Sequence, residues 1–154
     1  MTGNDGEIAH RYLERGSPEA AYVWARQSNE HTAQRYSALG TAILKCFGVK
    51  KVDAAIKTYT KAVELDPRDF SLKLMRGIAY KLKTEGLIRD YVGDPKTGSS
   101  HMSFEVKEMI DDTIGCAKRD FLSVFEFSKS PGYRRQVARR SGELHFLETM
   151  LGEC

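Results

Sequence analysis

Residues 54–67 read Ala-Ala-Ile-Lys-Thr-Tyr-Thr-Lys-Ala-Val-Glu-Leu-Asp-Pro. Small or apolar side chains at Ala55, Ile56, Tyr59, Ala62 and Val63 recur at steps of three and four, the period of one helix face. With Val52 they predict a helix over about 52–65. Asp66-Pro67 ends it, because the residue before a proline is pushed out of helical geometry.

The same period extends outward on both sides. Towards the N-terminus, Tyr36, Leu39, Ile43 and Cys46 mark a helix over about 32–47, ended by Gly48. A helix with Ala21, Trp24, Ala25 and Ser28 on its apolar face precedes it, with Ser17 as its expected cap and Pro18 in its first turn. The first helix spans about 6–15, with Ile8, Ala9, Tyr12 and Leu13 on one side, and Gly16-Ser17-Pro18 stops it. Towards the C-terminus, Leu72, Leu74, Met75, Ile78, Ala79, Tyr80 and Leu82 predict a helix from near Asp69. The pattern then fails. Gly93-Asp94-Pro95 and Gly98-Ser99-Ser100 predict an insertion loop over 86–102, expected to be mobile and to fold over a groove or order on binding. Its Gly-Ser-Ser-His-Met run at 98–102 also resembles a cloning scar and is not read for function. Ser103 is the expected cap of a long helix marked by Val106, Ile110, Ile114, Ala117, Phe121 and Val124. Ser130-Pro131-Gly132 separates it from a last helix over about 133–150. No alternating stretch competes for a strand anywhere in the chain.

Two of these segments echo one another. Leu39-Gly40-x-Ala42-Ile43 is repeated as Arg76-Gly77-x-Ala79-Tyr80, at close to the period of about 34 residues of helix-turn-helix arrays. Between them, Ala55, Tyr59, Ala62 and Pro67 have the small-aromatic-small-proline spacing of the second helix of a tetratricopeptide repeat. The chain resembles that family most clearly over residues 36–82. The small residues let paired helices approach, the ring fills the gap between them, and the proline turns the chain into the next unit. Ala117, Phe121 and Val124 then correspond to the second helix of a later repeat, and residues 6–30 resemble a degenerate first one. The turn from Gly40 to Ala55 is about three residues longer than the family norm. The resemblance implies an all-α, antiparallel helical-repeat superhelix of about three repeats with a C-terminal capping helix, in which 1–154 form a single domain.

It also implies a use. First helices of such repeats line a concave groove that holds a peptide or partner helix. Carried over residue by residue, the groove positions are Gln34, Ser37, Thr41 and Lys45 from one repeat, and Ser71, Leu74, Ile78 and Lys81 from the next. On the last helix, Arg135 and Arg139 stand one turn apart and suit a carboxylate or phosphate. The full carboxylate clamp of chaperone-binding relatives is absent, since its asparagines are replaced here by Ser37, Ala38 and Thr41. The expected role is therefore a non-catalytic adaptor or scaffold. The alternative is a nucleic-acid-binding repeat protein using Lys45, Lys50, Lys51, Lys57 and Lys61 with the arginines. The number of aspartates and glutamates weighs against it. Self-association is compatible with either reading, since solenoid ends expose apolar surface unless capped.

Chemistry-bearing patterns are sparse. His10, His31, His101 and His145 stand alone, without metal-ligand spacing to one another or to a cysteine, so no metal or cofactor is expected. No serine or cysteine has a recognisable base partner. Glu105, Glu108, Asp111 and Asp112 fall in the first turns of the long helix, where an acid contributes about 0.3–1 kcal/mol by facing the positive helix end. Composition agrees with a globular chain: 41% hydrophobic, 29% charged, formal net charge +3. Such a small excess of charge does not by itself call for nucleic acid or membrane. Met1 to Glu14 carries no long apolar stretch, so no secretory signal and no membrane insertion are expected. Cys46, Cys116 and Cys154, odd in number and far apart, fit reduced thiols in a cytoplasm.

Overall fold

The computed structural model describes residues 5–91 and 103–152. Among them the chain is all helical: α1 (Asp5–Glu14), α2 (Pro18–Gln27), α3 (Ala33–Phe47), a 3₁₀ turn (Gly48–Lys51), α4 (Val52–Leu65), α5 (Phe70–Tyr91), α6 (Phe104–Phe127) and α7 (Pro131–Gly152). No strand occurs among the described residues. Contacts divide the chain into two compact units, Met1–Arg76 and Gly77–Cys154, with the boundary inside α5.

In the first unit α1 ends at Gly16, whose φ of 77° is the left-handed conformation that glycine accepts without steric cost. The backbone N–H groups of Gly16 and Ser17 donate back to the carbonyls of Leu13 (3.1 Å) and Tyr12 (2.8 Å), which satisfies the open end of the helix. Ser17 therefore occupies the cap position of α2 without a side-chain cap bond, contrary to expectation, while Pro18 does take the first turn. Trp24 also departs from its expected place. It is 41% exposed, because Ala21 and Ala25 alone face the core. Those alanines join Ala9, Ala38 and Ala42, all fully buried, in a seam where α1, α2 and α3 meet, bordered by Tyr12, Leu13, Tyr22 and Leu39. Methyl-sized side chains allow this close approach. Gly6 marks its limit, since a Cβ there would sit 2.7 Å from the backbone nitrogen of Arg35.

The start of α1 is fastened to the α2–α3 connection. Glu30 Oε2 accepts the N–H groups of Asp5 (2.9 Å) and Gly6 (3.2 Å), and the Ser28 hydroxyl donates to Asp5 Oδ2 at 2.8 Å. Thr32 caps α3 by accepting the N–H of Arg35, and Arg35 Nε donates to the Ala25 carbonyl at 2.7 Å. The long turn expected between Gly40 and Ala55 is taken up by an extended α3 and the 3₁₀ turn. Gly48, at φ 59°, makes the change of direction.

α3 and α4 pair around Tyr59, which is 1% exposed. A Cβ on Gly40 would lie 2.7 Å from Tyr59 Cε1, so only glycine leaves room for the ring. Tyr36, Ala62, Val63 and Leu72 form a second cluster that joins α3, α4 and the start of α5.

In the second unit the arrangement recurs with other residues. A Cβ on Gly77 of α5 would lie 2.7 Å from Cε1 of Phe121 on α6, and Phe121 is itself 1% exposed. Ile110, Ile114, Ala117, Phe121 and Val124 form the buried stripe of α6, and Val137, Leu144 and Leu151 are the buried apolar positions of α7. Ser103 caps α6 through the N–H of Val106, as its sequence position predicts. Two boundaries need correction. Helix α5 runs through Gly86 to Tyr91, where the insertion loop was expected to begin. One glycine costs a helix about 1 kcal/mol, which the half-buried Leu87 and Ile88 that follow it are enough to offset. Pro131-Gly132 was expected to separate helices but forms the first turn of α7, where proline loses no hydrogen bond. The rest of the expected loop, 92–102, including the scar-like 98–102, lies outside the described residues, as does Cys154.

Candidate functional site

The first unit contains a cleft of about 410 Å³ built by three helices. Helix α1 contributes His10. The start of α3 contributes Ala33, Gln34 and Ser37. The α4–α5 turn and the start of α5 contribute Asp66, Asp69, Ser71, Leu72 and Met75. Each element places its residues for a local reason. The Thr32 cap fixes the first turn of α3, so Ala33, Gln34 and Ser37 share one face at helical spacing. Asp66-Pro67 ends α4, and Asp69 starts α5 by accepting the N–H of Ser71 at 3.0 Å and its hydroxyl at 2.5 Å. Met75 lies one turn beyond Ser71, and the Ser37 hydroxyl points at its sulfur, 3.8 Å away.

The lining is mixed: a thioether and aliphatic floor, two hydroxyls and an amide, and carboxylates from one side. His10 adds an imidazole whose pKa is lowered by burial, against the raising effects of the Gln34 backbone and of Glu14. A neutral imidazole at ordinary pH can donate or accept a hydrogen bond. The Ser71 hydroxyl is spent on Asp69, which leaves it serving as part of a helix start. Among the described residues, no group of three His, Cys, Asp or Glu side chains is placed to hold a metal ion.

Of the groove positions carried over from the family, Gln34, Ser37 and Ser71 line this cleft together. The others lie elsewhere. Thr41 is turned inward, its hydroxyl 2.8 Å from that of Tyr59. Burial pushes the Tyr59 phenol up to about 12, with the Thr41 bond acting in the opposite direction. Lys45 is exposed on α3. Leu74 is 4% exposed, so it belongs to the core and presents no contact surface. In the second unit Ile78 is half-buried. Lys81 is buried between two carboxylates, Glu85 Oε1 at 2.7 Å and Glu143 Oε2 at 2.6 Å. Burial opposes its charge, but the hydrogen bonds it donates to Glu143 and Glu85 outweigh that and raise its pKa. Lys81 and then Arg139 in turn lower that of Glu143. Lys81 is thus a structural ion pair, unsuited to meeting a ligand.

Arg135 and Arg139 are both exposed on α7, as a shared anion site would need, but Arg139 Nε is 3.2 Å from Glu143 Oε1. A ligand carboxylate would therefore compete with Glu143 for Arg139. The lysines of the nucleic-acid alternative, Lys45, Lys50, Lys51, Lys57 and Lys61, are all exposed on the first unit. Asp53 and Glu64 are exposed on α4 among them. Lys51 lies over the Phe47 ring at 4.2 Å and Lys61 over the Tyr36 ring at 5.6 Å.

No family model, curated protein or solved structure matches this chain. No helix among the described residues is long and apolar enough to cross a membrane. Sequence reasoning missed His10, Asp66, Asp69 and Met75 as cleft residues. Met75 was legible, since it shares the face of Ser71. His10 was not, because nothing in its neighbourhood along the chain points to α3 or α5.

Proposed function

We propose that this protein is a non-catalytic adaptor of tetratricopeptide-like helical hairpins that holds a peptide in the cleft of its first unit. The observation that carries the reading is that Gln34, Ser37 and Ser71, groove positions from two successive first helices, line one open cleft with Met75 and His10. The repeated wedge supports the repeat assignment: Gly40 receives Tyr59, and Gly77 receives Phe121. In the first hairpin the wedge is replaced by small residues, Ala9 and Ala25, in the alanine seam. Volume is thus exchanged across the pair, small facing large or small facing small. A cytoplasmic setting belongs to this reading and rests on the free thiols of Cys46 and Cys116.

The mixed lining suits an extended segment with an apolar side chain towards Met75 and Ala33, and a basic one towards Asp66 and Asp69. Selection of a random-peptide display library on the purified protein tests this. Enriched peptides are expected to carry that apolar–basic pair, and to lose binding when Gln34→Trp fills the cleft. Binding unchanged by Gln34→Trp, or failure to enrich any sequence, refutes the reading. Steep salt-dependent capture of a mixed-sequence oligonucleotide would favour the basic-face alternative instead.

A further inference from the structure

The second unit has an open cleft of its own, between α6 and α7, with a volume of about 410 Å³. Phe121 and Val137 belong to its buried floor, while Leu122 and Phe125 are 56% and 42% exposed at its wall. The core stripe of α6 is complete without these two residues, since Ile110, Ile114, Ala117, Phe121 and Val124 already fill it. Leu122 and Phe125 therefore lie outside the buried stripe and leave much of their apolar surface uncovered. Contiguous apolar surface of this kind, rimmed by charge, marks interaction sites more often than chance exposure does.

The rim on α7 is basic. The Arg134 guanidinium lies over the Phe125 ring, 4.6 Å from its centroid, which brings its N–H groups to the edge of the cleft. Arg135 is exposed and makes no ion pair among the described residues. Arg139, 74% exposed, is held by Glu143, and Lys118 by Glu148. Between Pro131 and Arg140 the helix carries Arg134, Arg135, Arg139 and Arg140 and no carboxylate. The start of a helix is the positive end of its dipole and favours acids, so arginines this close to it do not stabilise α7. A departure from local helix chemistry beside an uncovered apolar cleft is where function is expected.

We infer that the α6–α7 cleft docks an acidic amphipathic helix. Its apolar face enters between Leu122, Phe125 and Ala138, and its carboxylates meet Arg134 and Arg135. A guanidinium offers paired N–H donors in the geometry of a carboxylate, and a helix laid in a groove brings apolar anchors at steps of three and four. This surface is independent of the first-unit cleft, so the protein joins two ligands of opposite charge.

The probe is a fluorescein-labelled peptide of about 14 residues, four helical turns, with leucines at helical spacing flanked by glutamates. Anisotropy titration into the full chain is expected to give saturable binding. Leu122→Ser weakens it by about tenfold or more, as loss of a central apolar anchor does. Arg134→Glu with Arg135→Glu weakens it by a similar factor at low salt and by less as salt screens the rim. Gln34→Trp leaves it unchanged, which separates this site from the peptide cleft. Circular dichroism confirms that each variant stays helical, and the Arg135→Gln variant serves if a charge reversal unfolds. The inference is overturned if a peptide with lysines in place of the glutamates binds equally well. It is also overturned if no saturation is seen, or if Leu122→Ser converts the free protein from dimer to monomer, which would make a second copy the occupant.

Discussion

Gly77→Ala separates packing from helix propensity. In an open helical position, replacing glycine by alanine stabilises a helix by about 0.8–1 kcal/mol. Gly115 on α6 and Gly142 on α7 are such positions, because a Cβ built on either meets nothing within 4 Å. At Gly77 the same methyl would sit 2.7 Å and 2.9 Å from Phe121 ring carbons and 3.2 Å from the Asp120 Cβ. Phe121 is enclosed and its ring cannot swing into solvent, so the helices must part, at a cost of about 1–3 kcal/mol for overpacking. The net change for Gly77→Ala is then a loss of about 0–2 kcal/mol, where Gly115→Ala and Gly142→Ala gain about 1 kcal/mol. All three sites lie in the second unit, so urea unfolding followed by circular dichroism compares them on one transition. Combining Gly77→Ala with Phe121→Leu should recover part of the loss, a coupling of about 1 kcal/mol or more between touching residues. Equal stabilisation by all three glycine substitutions would show that the ring is not wedged against the α5 backbone.

Two further predictions concern buried polar groups. Thr41→Val removes the only bond described for the enclosed Tyr59 hydroxyl, and should cost about 1–3 kcal/mol in urea unfolding. The Tyr59 phenol is raised from 10 to about 12, so its stabilising effect is complete below pH 10 and is lost as pH rises towards 12. That amounts to roughly 3 kcal/mol, read as the difference in alkaline stability between wild type and Tyr59→Phe. In Lys81→Met the aliphatic stem is kept and both ion pairs are lost. Because Glu85 and Glu143 are partly exposed, the expected loss is about 1–2 kcal/mol at neutral pH, smaller than for a fully buried pair. Glu143 has a lowered pKa in the folded protein, so its contribution is present above the ordinary glutamate range and lost as pH falls through the lowered value. Wild type should therefore lose more stability than Lys81→Met on acidification, and parallel pH profiles would count against the pairing.

Helix positions were legible because glycine and proline punctuate this chain where side-chain rows change direction. Gly16, Gly48 and Asp66-Pro67 each stop a helix at the expected place. The failures have different origins. Gly86 read as the start of a loop because turn chemistry was weighed without the half-buried Leu87 and Ile88 that follow it, and Pro131-Gly132 read as a break although proline loses no hydrogen bond in a first helical turn. Trp24 read as part of the apolar face because it shares helical spacing with Ala21, Ala25 and Ser28, whereas three helices meeting through alanines leave no room for its ring. Gln34, Ser37 and Ser71, named through a positional resemblance, line one cleft. Leu74 and Lys81 held equivalent positions, but burial and two carboxylates make them structural. The Glu85 pairing is readable as an i,i+4 spacing, but the burial of Leu74 and the arrival of Glu143 from α7 leave no trace along the chain.

Glu30 carries a consequence for the front of the molecule. End helices ordinarily fray, since their first amide protons have only water to bond. Here a carboxylate borrowed from beyond the second helix receives the amides of Asp5 and Gly6. The ordered start of α1 therefore depends on a residue more than twenty positions away, and Glu30→Ala would release the first turn of α1 without touching its buried face.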